Sequence, residues 1–230
     1  AMSNEQLVIG GMIMPKIEKG RPLPSHTKFD YYECYAKIVL VNTFPKQFGD
    51  LKVKDKPDLQ SEDKSIGIEV TIAEERHSIE AERLYLQLSD TESSKRQRKI
   101  ERIEQCGAKY EHGMLLTSGI DNFDLVNEAV KRKVEKLQSA GYASLKEYHP
   151  FVFSSIYADD SMLQDELAFL QNIQVEKYFK KIYVSGSGEL YCFNFEKTTY
   201  ERFAIDSNVQ SQYAIQACLL YTSPSPRDRG

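Results

Sequence analysis

The sequence has few cysteines and no long apolar run, and both absences exclude classes of protein. Its four cysteines occur without C-x-x-C spacing, which argues against a zinc site and against a disulfide framework. No stretch approaches the ~20 apolar residues of a membrane span, and the first residues carry no basic segment before an apolar one. We therefore expect a cytoplasmic protein with no membrane partner.

Several common catalytic motifs are also missing. The sequence contains no G-x-S-x-G, no Walker glycine loop, no G-x-G-x-x-G turn and no H-E-x-x-H. The net charge of −4 does not indicate a general affinity for nucleic acid. Any phosphate-binding surface must therefore be local.

Length and composition predict one globular domain. The chain has 230 residues, of which 41% are hydrophobic and 28% charged, enough for a sizeable core. We place the domain at residues 29–206. It follows an irregular segment at 1–28, which includes a short strand near Leu7 to Met14, and it precedes a tail at 207–230.

Two carboxylates occur in a predicted pair of strands. Apolar and polar residues alternate over 51–54 and again over 66–73, which predicts two strands joined by a polar connection of hairpin length. Asp58 would end the first strand and Glu69 lies inside the second, so their side chains are expected side by side. A carboxylate in a strand of such apolar composition needs a partner or a metal. Since Mg²⁺ accepts one or two protein carboxylates, the pair predicts a site for Mg²⁺ or Mn²⁺.

The same residues carry a resemblance to a known family. Pro57-Asp58, a spacer and Glu69-Val70-Thr71 resemble the motif of the PD-(D/E)XK nucleases, in which Pro-Asp ends one strand and Glu-x-Lys lies on the next. The resemblance implies a restriction-endonuclease-like fold and Mg²⁺-dependent hydrolysis of DNA. It also implies that the metal is bound by Asp58, Glu69 and the backbone carbonyl of Val70. Thr71 stands where the family has lysine, so the motif alone does not supply the catalytic lysine.

A candidate for the missing lysine lies in a later predicted helix. Over 123–138 the apolar residues form one stripe at helical spacing, and Lys133 falls inside that stripe. A lysine there must either extend past its neighbours to solvent or meet a buried anion. In the second case Lys133 would reach Asp58 and Glu69, as in relatives of the family that carry this lysine on a neighbouring helix.

Glu33 has two interpretations within the helix predicted over 29–44. It lies four residues before Lys37, which is the spacing of an exposed ion pair. The resemblance instead implies that an acidic residue on this helix is directed toward the carboxylate pair. We take Glu33 as a candidate catalytic residue.

The most basic part of the chain is a candidate phosphate-binding surface. Lys95, Arg96, Arg98 and Lys99 lie close together in one predicted helix. They either pair with nearby glutamates or contact a nucleic-acid backbone. We assign these four residues, with Thr71, to substrate binding. The implied partner is DNA, and a homodimer is compatible with this assignment.

The predicted order of elements is a helix, two strands, helices, a strand, a helix and a terminal hairpin. This order describes an α/β fold with a mixed β-sheet flanked by helices. Two alternatives to a nuclease remain. One is a nuclease-like fold without catalysis that binds nucleic acid or protein, which Thr71 and the acidic pI favour. The other is an α/β domain with no site, in which Asp58 and Glu69 would lie apart or both be exposed.

The end of the chain differs in character from the rest. Its sequence CLLYTSPSPRDRG resembles translated sequencing-adaptor read-through. We therefore expect the chain to be non-native from about residue 218 and to lack part of its native C-terminus.

Overall fold

The structure, a computed structural model, describes residues 8–9, 12–13, 30–88, 91–111, 114–116, 120–138 and 141–222. In chain order its elements are β1 (Val8–Ile9), β2 (Met12–Ile13), α1 (Tyr31–Thr43), α2 (Pro45–Phe48), β3 (Lys52–Val53), β4 (Leu59–Gln60), β5 (Ile66–Ile72), α3 (Arg76–Leu86), α4 (Ser93–Gln105), β6 (Lys109–Glu111), β7 (Met114–Leu116), α5 (Asp124–Leu137), β8 (Glu147–Phe153), α6 (Asp160–Asn172), a 3₁₀ turn (Val175–Lys177), β9 (Lys181–Ser185), β10 (Glu189–Asn194), β11 (Thr199–Ala204) and α7 (Ser207–Thr222). The predicted helices and strands occur in the predicted order, but the structure also contains further elements, among them β4, the pair β6 and β7, and α7.

A seven-stranded mixed sheet forms the centre of the fold. Its strand order is β11-β10-β9-β8-β5-β4-β3. The neighbours β5, β8 and β9 run parallel, and the remaining pairs are antiparallel. Helices pack on both faces, so the prediction of an α/β fold with a mixed sheet is confirmed. Within the described residues, no helix has the length and apolar content needed to cross a membrane.

The alternation along β5 decides which side chains face which helix. Ile66, Ile68 and Val70 join the core that contains buried residues of α1. The residues between them point to the other face, where the core contains Val126 and Val130 of α5. Glu69 is therefore on the face of the sheet that α5 covers.

The first helix begins and ends where side-chain chemistry requires it. Asp30 caps α1 by accepting a hydrogen bond from the backbone N–H of Tyr32 at 2.7 Å. At its other end the backbone N–H of Phe44 donates to the carbonyl of Leu40. Pro45 then begins the short α2. The helix predicted over 29–44 is confirmed.

Helices α3 and α4 form a small unit with the β6–β7 hairpin. A cluster of buried apolar residues holds this unit together, and it includes Ala81 and Leu84 of α3 and Ile103 of α4. The basic residues Lys95, Arg96 and Arg98 are exposed on α4.

The first strand of the predicted pair is shorter than expected. After β3 the chain turns, and the backbone N–H of Lys54 donates to the carbonyl of Asp58 at 2.8 Å. Asp58 therefore precedes β4, and the prediction that it ends a strand is wrong. The turn contains Lys56 with a φ of 52°, a left-handed conformation that an alternating side-chain pattern does not reveal.

Pro150 lies inside β8. The register places it opposite Glu69 of β5, whereas pairing with β9 begins at Phe151. Proline has no N–H to donate, and at this position β9 does not yet require one.

Parts of the predicted terminal segments are among the described residues. Residues 8–13 include the two strands of a hairpin, and the rest of 1–28 lies outside the described residues. α7 packs against α1 and buries Ala217 completely, so residues 207–222 extend the fold with a helix. Residues 223–230 lie outside the described residues.

Candidate active site

Asp58 and Glu69 come together because β4 and β5 are antiparallel. The register pairs Leu59 with Ile68, so the next residues along the two strands, Asp58 and Glu69, are neighbours. A carboxylate oxygen of Asp58, Oδ2, accepts a hydrogen bond from the backbone N–H of Val70 at 2.7 Å. Where the pairing of β4 ends, this side chain therefore accepts the hydrogen bond that a backbone carbonyl of a neighbouring strand would otherwise accept.

The close approach of Asp58 to β5 depends on Gly67. A Cβ atom at position 67 would lie 2.5 Å from Cγ of Pro57 and 2.6 Å from Cδ1 of Leu145. Because packed interiors leave no room for such overlap, a side chain here would push Pro57 away from the strand. Glycine at this position therefore helps to set the separation of the two acids.

Lys133 reaches both acids from α5. Its Nζ donates to Oε2 of Glu69 at 2.7 Å and lies 3.7 Å from Oδ2 of Asp58. Glu69 is 2% exposed and Lys133 6%, whereas the side chain of Asp58 keeps 22% of its surface exposed. Of the two interpretations of Lys133, the structure has the one in which the lysine meets a buried anion.

The two oxygens of Glu69 differ in their surroundings. Oε2 is bonded to Lys133, but Oε1 is buried and has no hydrogen-bond partner among the described residues. Burial raises the pKa of Glu69; the Lys133 ammonium opposes this rise and the charge of Asp58 adds to it. The hydroxyl of Tyr142 lies close enough to this carboxylate to lower its pKa as well.

Tyr142 also borders the site, although the sequence did not single it out. The backbone N–H of Ala143 donates to the carbonyl of Lys56 at 3.0 Å, which holds the segment after α5 against the turn before Asp58. Burial raises the pKa of Tyr142, and the nearby charge of Glu69 raises it further. No motif or periodicity marks this residue, because a long-range backbone contact determines its place.

Glu33 is half-buried on α1. Its pKa is raised to about 7, first by burial and then by the charges of Asp58 and Asp30. Lys37 is not among the charges that act on it. Of Asp58 and Glu69, only Asp58 is among the charges that act on Glu33, and α1 packs on the face of the sheet opposite to Glu69. The assignment of Glu33 as a catalytic residue stays a prediction.

The oxygens at this site fit a small divalent cation. Since the N–H and C=O of one strand residue point to the same edge, the bond from Val70 to Asp58 places the Val70 carbonyl on the side of Asp58. The described residues contain no group of three or more His, Cys, Asp or Glu that could hold a metal. Mg²⁺ and Mn²⁺ take one or two protein carboxylates and complete their shell with water, so Asp58 and Glu69 are the two carboxylate ligands that this site could offer. Thr71 is half-buried on the same face of β5, two residues beyond Glu69.

The structure does not join the predicted phosphate-binding residues of α4 to this site. Three of the four are exposed and Lys99 is half-buried. Three make contacts close by: Lys95 with Glu92 at 2.9 Å, Arg96 with Tyr110 at 3.2 Å and Lys99 with Thr91 at 2.8 Å. Arg98 is exposed on the same helix. Their assignment to substrate binding stays a prediction.

Comparisons with protein-family models, with curated proteins and with solved structures give no match. What the site does must therefore be inferred from its geometry and chemistry.

Proposed function

We propose that the protein is a metal-dependent phosphodiesterase of the PD-(D/E)XK type that hydrolyses DNA in the cytoplasm. One observation carries the proposal: two carboxylates and an ammonium group from separate elements meet in one place. The Nζ of Lys133 lies 2.7 Å from Glu69 and 3.7 Å from Asp58. The family that the motif resembles uses the same chemical groups, although here the lysine comes from α5 and not from the strand.

Each of these residues has a role in such a reaction. When bound, Mg²⁺ would lower the pKa of a coordinated water and polarise the phosphate. Asp58 and Glu69 would hold it, with the carbonyl of Val70. Lys133 would neutralise the charge that develops on the phosphate oxygens as water adds to phosphorus and the bond to the leaving oxygen breaks. Glu33 would accept a hydrogen bond from a water at the edge of the site.

The burial of the site indicates how a substrate would enter. Glu69 and Lys133 are almost inaccessible, whereas Asp58 is partly exposed. A phosphodiester would therefore approach over Asp58. The buried carboxylate of Glu69 marks the inner end of the site.

Cleavage of plasmid and linear DNA in the presence of Mg²⁺ tests the proposal. We expect Glu69→Gln to lose both cleavage and Mn²⁺ binding, since it removes a ligand charge at nearly constant volume. Lys133→Met should lose cleavage but keep Mn²⁺ binding, because an ammonium group is not a metal ligand. Lys136→Met, at an exposed position of the same helix, is the matched control and should keep both.

Two measurements separate a catalytic defect from misfolding. Thermal unfolding shows whether each variant is folded, and calorimetry with Mn²⁺ shows whether the carboxylates still form a site. Equal cleavage by wild type and by folded Glu69→Gln would end the proposal.

A binding module without catalysis is the second candidate, and one contact favours it. The bond between Lys133 and Glu69 at 2.7 Å pairs both buried charges without a metal, as a purely structural ion pair would. This candidate predicts no saturable Mn²⁺ binding. It also predicts that Asp58→Asn leaves the affinity for DNA or for a protein partner unchanged.

A further inference from the structure

A second pocket lies at the carboxyl ends of the three parallel strands. β5, β8 and β9 end here at Ile72, Phe153 and Ser185, and the first turns of α1 form another wall of a cavity of about 270 Å³. In open α/β sheets this end of the parallel strands is a frequent place for ligands. We call this cavity the tyrosine pocket, and its characteristic residues are Tyr31, Tyr32, Tyr35, Phe153, Glu74 and Glu82.

Four aromatic rings of the tyrosine pocket form a closed circuit of contacts. The centroid of Tyr32 lies 5.7 Å from that of Tyr31 and 5.2 Å from that of Phe153. Tyr35 completes the circuit, at 5.8 Å from Phe153 and 6.1 Å from Tyr31. Tyr32 is 40% exposed, so the circuit opens to solvent. The contacts of Tyr32 with Tyr31 and Phe153 are edge to face, and those of Tyr35 are tilted. Where a ring face borders the pocket, it can bind an organic ammonium ion.

Two carboxylates add negative charge to the same pocket. The pKa of Glu74 is raised by burial and by the charge of Glu82, and no positive charge of the described residues opposes this rise. The pKa of Tyr32 is raised by burial, then by Glu82 and Glu74, so both carboxylates lie close to that ring. The pocket thus combines aromatic rings with two carboxylates.

These properties select the class of ligand. An anion would be repelled, and the described residues contain no group of three metal-binding side chains for a hard cation. The cavity of about 270 Å³ is smaller than the ~300–1,000 Å³ typical of sites for drug-sized molecules. We propose that the tyrosine pocket binds a small quaternary ammonium compound, whose methylated nitrogen contacts the aromatic rings that line the pocket and is attracted by Glu74 and Glu82.

Calorimetric titration of the full chain with choline tests this proposal. The neutral compound 3,3-dimethyl-1-butanol has the same shape without the charge and is the matched ligand control. We expect saturable binding of choline, and binding of the neutral compound weaker by on the order of tenfold. Equal affinities would overturn the proposal, because shape alone would then explain binding. So would the absence of saturable choline binding.

Two variants locate the binding to this pocket. Glu74→Gln should weaken choline binding by on the order of tenfold and leave the neutral compound unaffected. Glu75→Gln, at an exposed neighbour outside the pocket, is the matched control and should change neither. Equal effects of the two variants would contradict the assignment of the site.

A third variant provides a direct signal. The sequence contains no tryptophan, so Tyr32→Trp introduces a single fluorescent reporter. Because tryptophan gives the strongest cation–π interaction, this variant should bind choline at least as tightly as wild type, with a change in emission.

Tighter binding of a peptide with trimethyllysine than of choline would assign the pocket to a protein ligand and overturn the small-molecule proposal. Choline binding should be unchanged in Glu69→Gln, so this proposal and the proposed nuclease activity fail independently.

Discussion

Glu166 provides the clearest test of electrostatics inside this fold. It lies on α6, is 5% exposed and accepts a hydrogen bond from Nδ2 of Asn127 at 3.2 Å. Oε1 of Glu166 and Oδ1 of Asn127 are both buried, and neither has a hydrogen-bond partner among the described residues. A proton on Oε1 would supply the donor that this pair lacks. The carboxyl group is therefore expected to hold a proton at neutral pH.

The size of the effect follows from the pKa of Glu166. Burial raises it from 4.5 to about 8; the bond from Asn127 opposes this rise and the charge of Asp124 adds to it. Between these two values the folded protein keeps the proton that the unfolded chain has released. The free energy of unfolding therefore falls as pH rises, by about 1.4 kcal/mol per pH unit and at most about 5 kcal/mol in total. Below the pKa of 4.5 that Glu166 has in the unfolded chain, both states are protonated. Glu166 then no longer makes the free energy of unfolding depend on pH.

Glu166→Gln removes the titration and keeps the shape. The introduced amide can donate to Oδ1 of Asn127 and accept from its Nδ2 at every pH. We expect wild type and variant to have similar stability near pH 5 and the variant to be several kcal/mol more stable near pH 8. Urea denaturation at several pH values between these limits, with the midpoint and slope fitted at each, measures the difference.

The matched control for this experiment is Asp165→Asn. Asp165 is the exposed neighbour of Glu166 on the same helix, so its substitution removes an equal charge without touching Asn127. Its stability relative to wild type should not show the steep dependence on pH. If the difference between wild type and Glu166→Gln were also constant from about pH 5 to about pH 8, Glu166 would titrate normally and the argument from burial would be wrong.

Three further predictions follow from individual contacts. Lys133→Met should lower the free energy of unfolding by about 3–5 kcal/mol, measured by urea denaturation, because it leaves a buried carboxylate without its partner. Gly67→Ala should lower it by about 1–3 kcal/mol, since the added Cβ would lie 2.5 Å from Pro57; unchanged stability would show that the turn moves freely. In the native protein a thiol reagent should modify the half-buried Cys106 before Cys192. Cys192 is buried, and burial raises its pKa to about 12. Mass spectrometry of the labelled protein checks the order.

The position of a charged residue within an apolar stripe was the most informative signal in the sequence. Lys133 occupies such a position in α5, and the structure brings it to Glu69. Glu166 satisfies the same criterion, because it lies three residues after Leu163 and four before Leu170, both buried. The same pattern therefore marks Glu166 as a buried residue of α6.

Other parts of the site could not be predicted from side-chain patterns. Asp58 precedes β4 because the backbone turns between β3 and β4, and Lys56 in that turn adopts a φ of 52°. Helical and strand periodicities describe which face a side chain occupies, not where an extended segment reverses. The place of Tyr142 depends on the bond between Ala143 and Lys56, which joins residues far apart in the sequence.

The lysine of the candidate site is held in place by the way α5 is anchored. This helix makes a buried polar contact with the sheet through Lys133 and another with α6 through Asn127. Six positions separate the two residues, which at about 100° per residue places them roughly 120° apart around the helix axis. Apolar contacts are non-directional and tolerate a rotation of the helix, whereas hydrogen bonds weaken steeply when their angles change. Two polar contacts on different faces therefore fix the rotation of α5, and this rotation keeps the Lys133 ammonium beside Glu69.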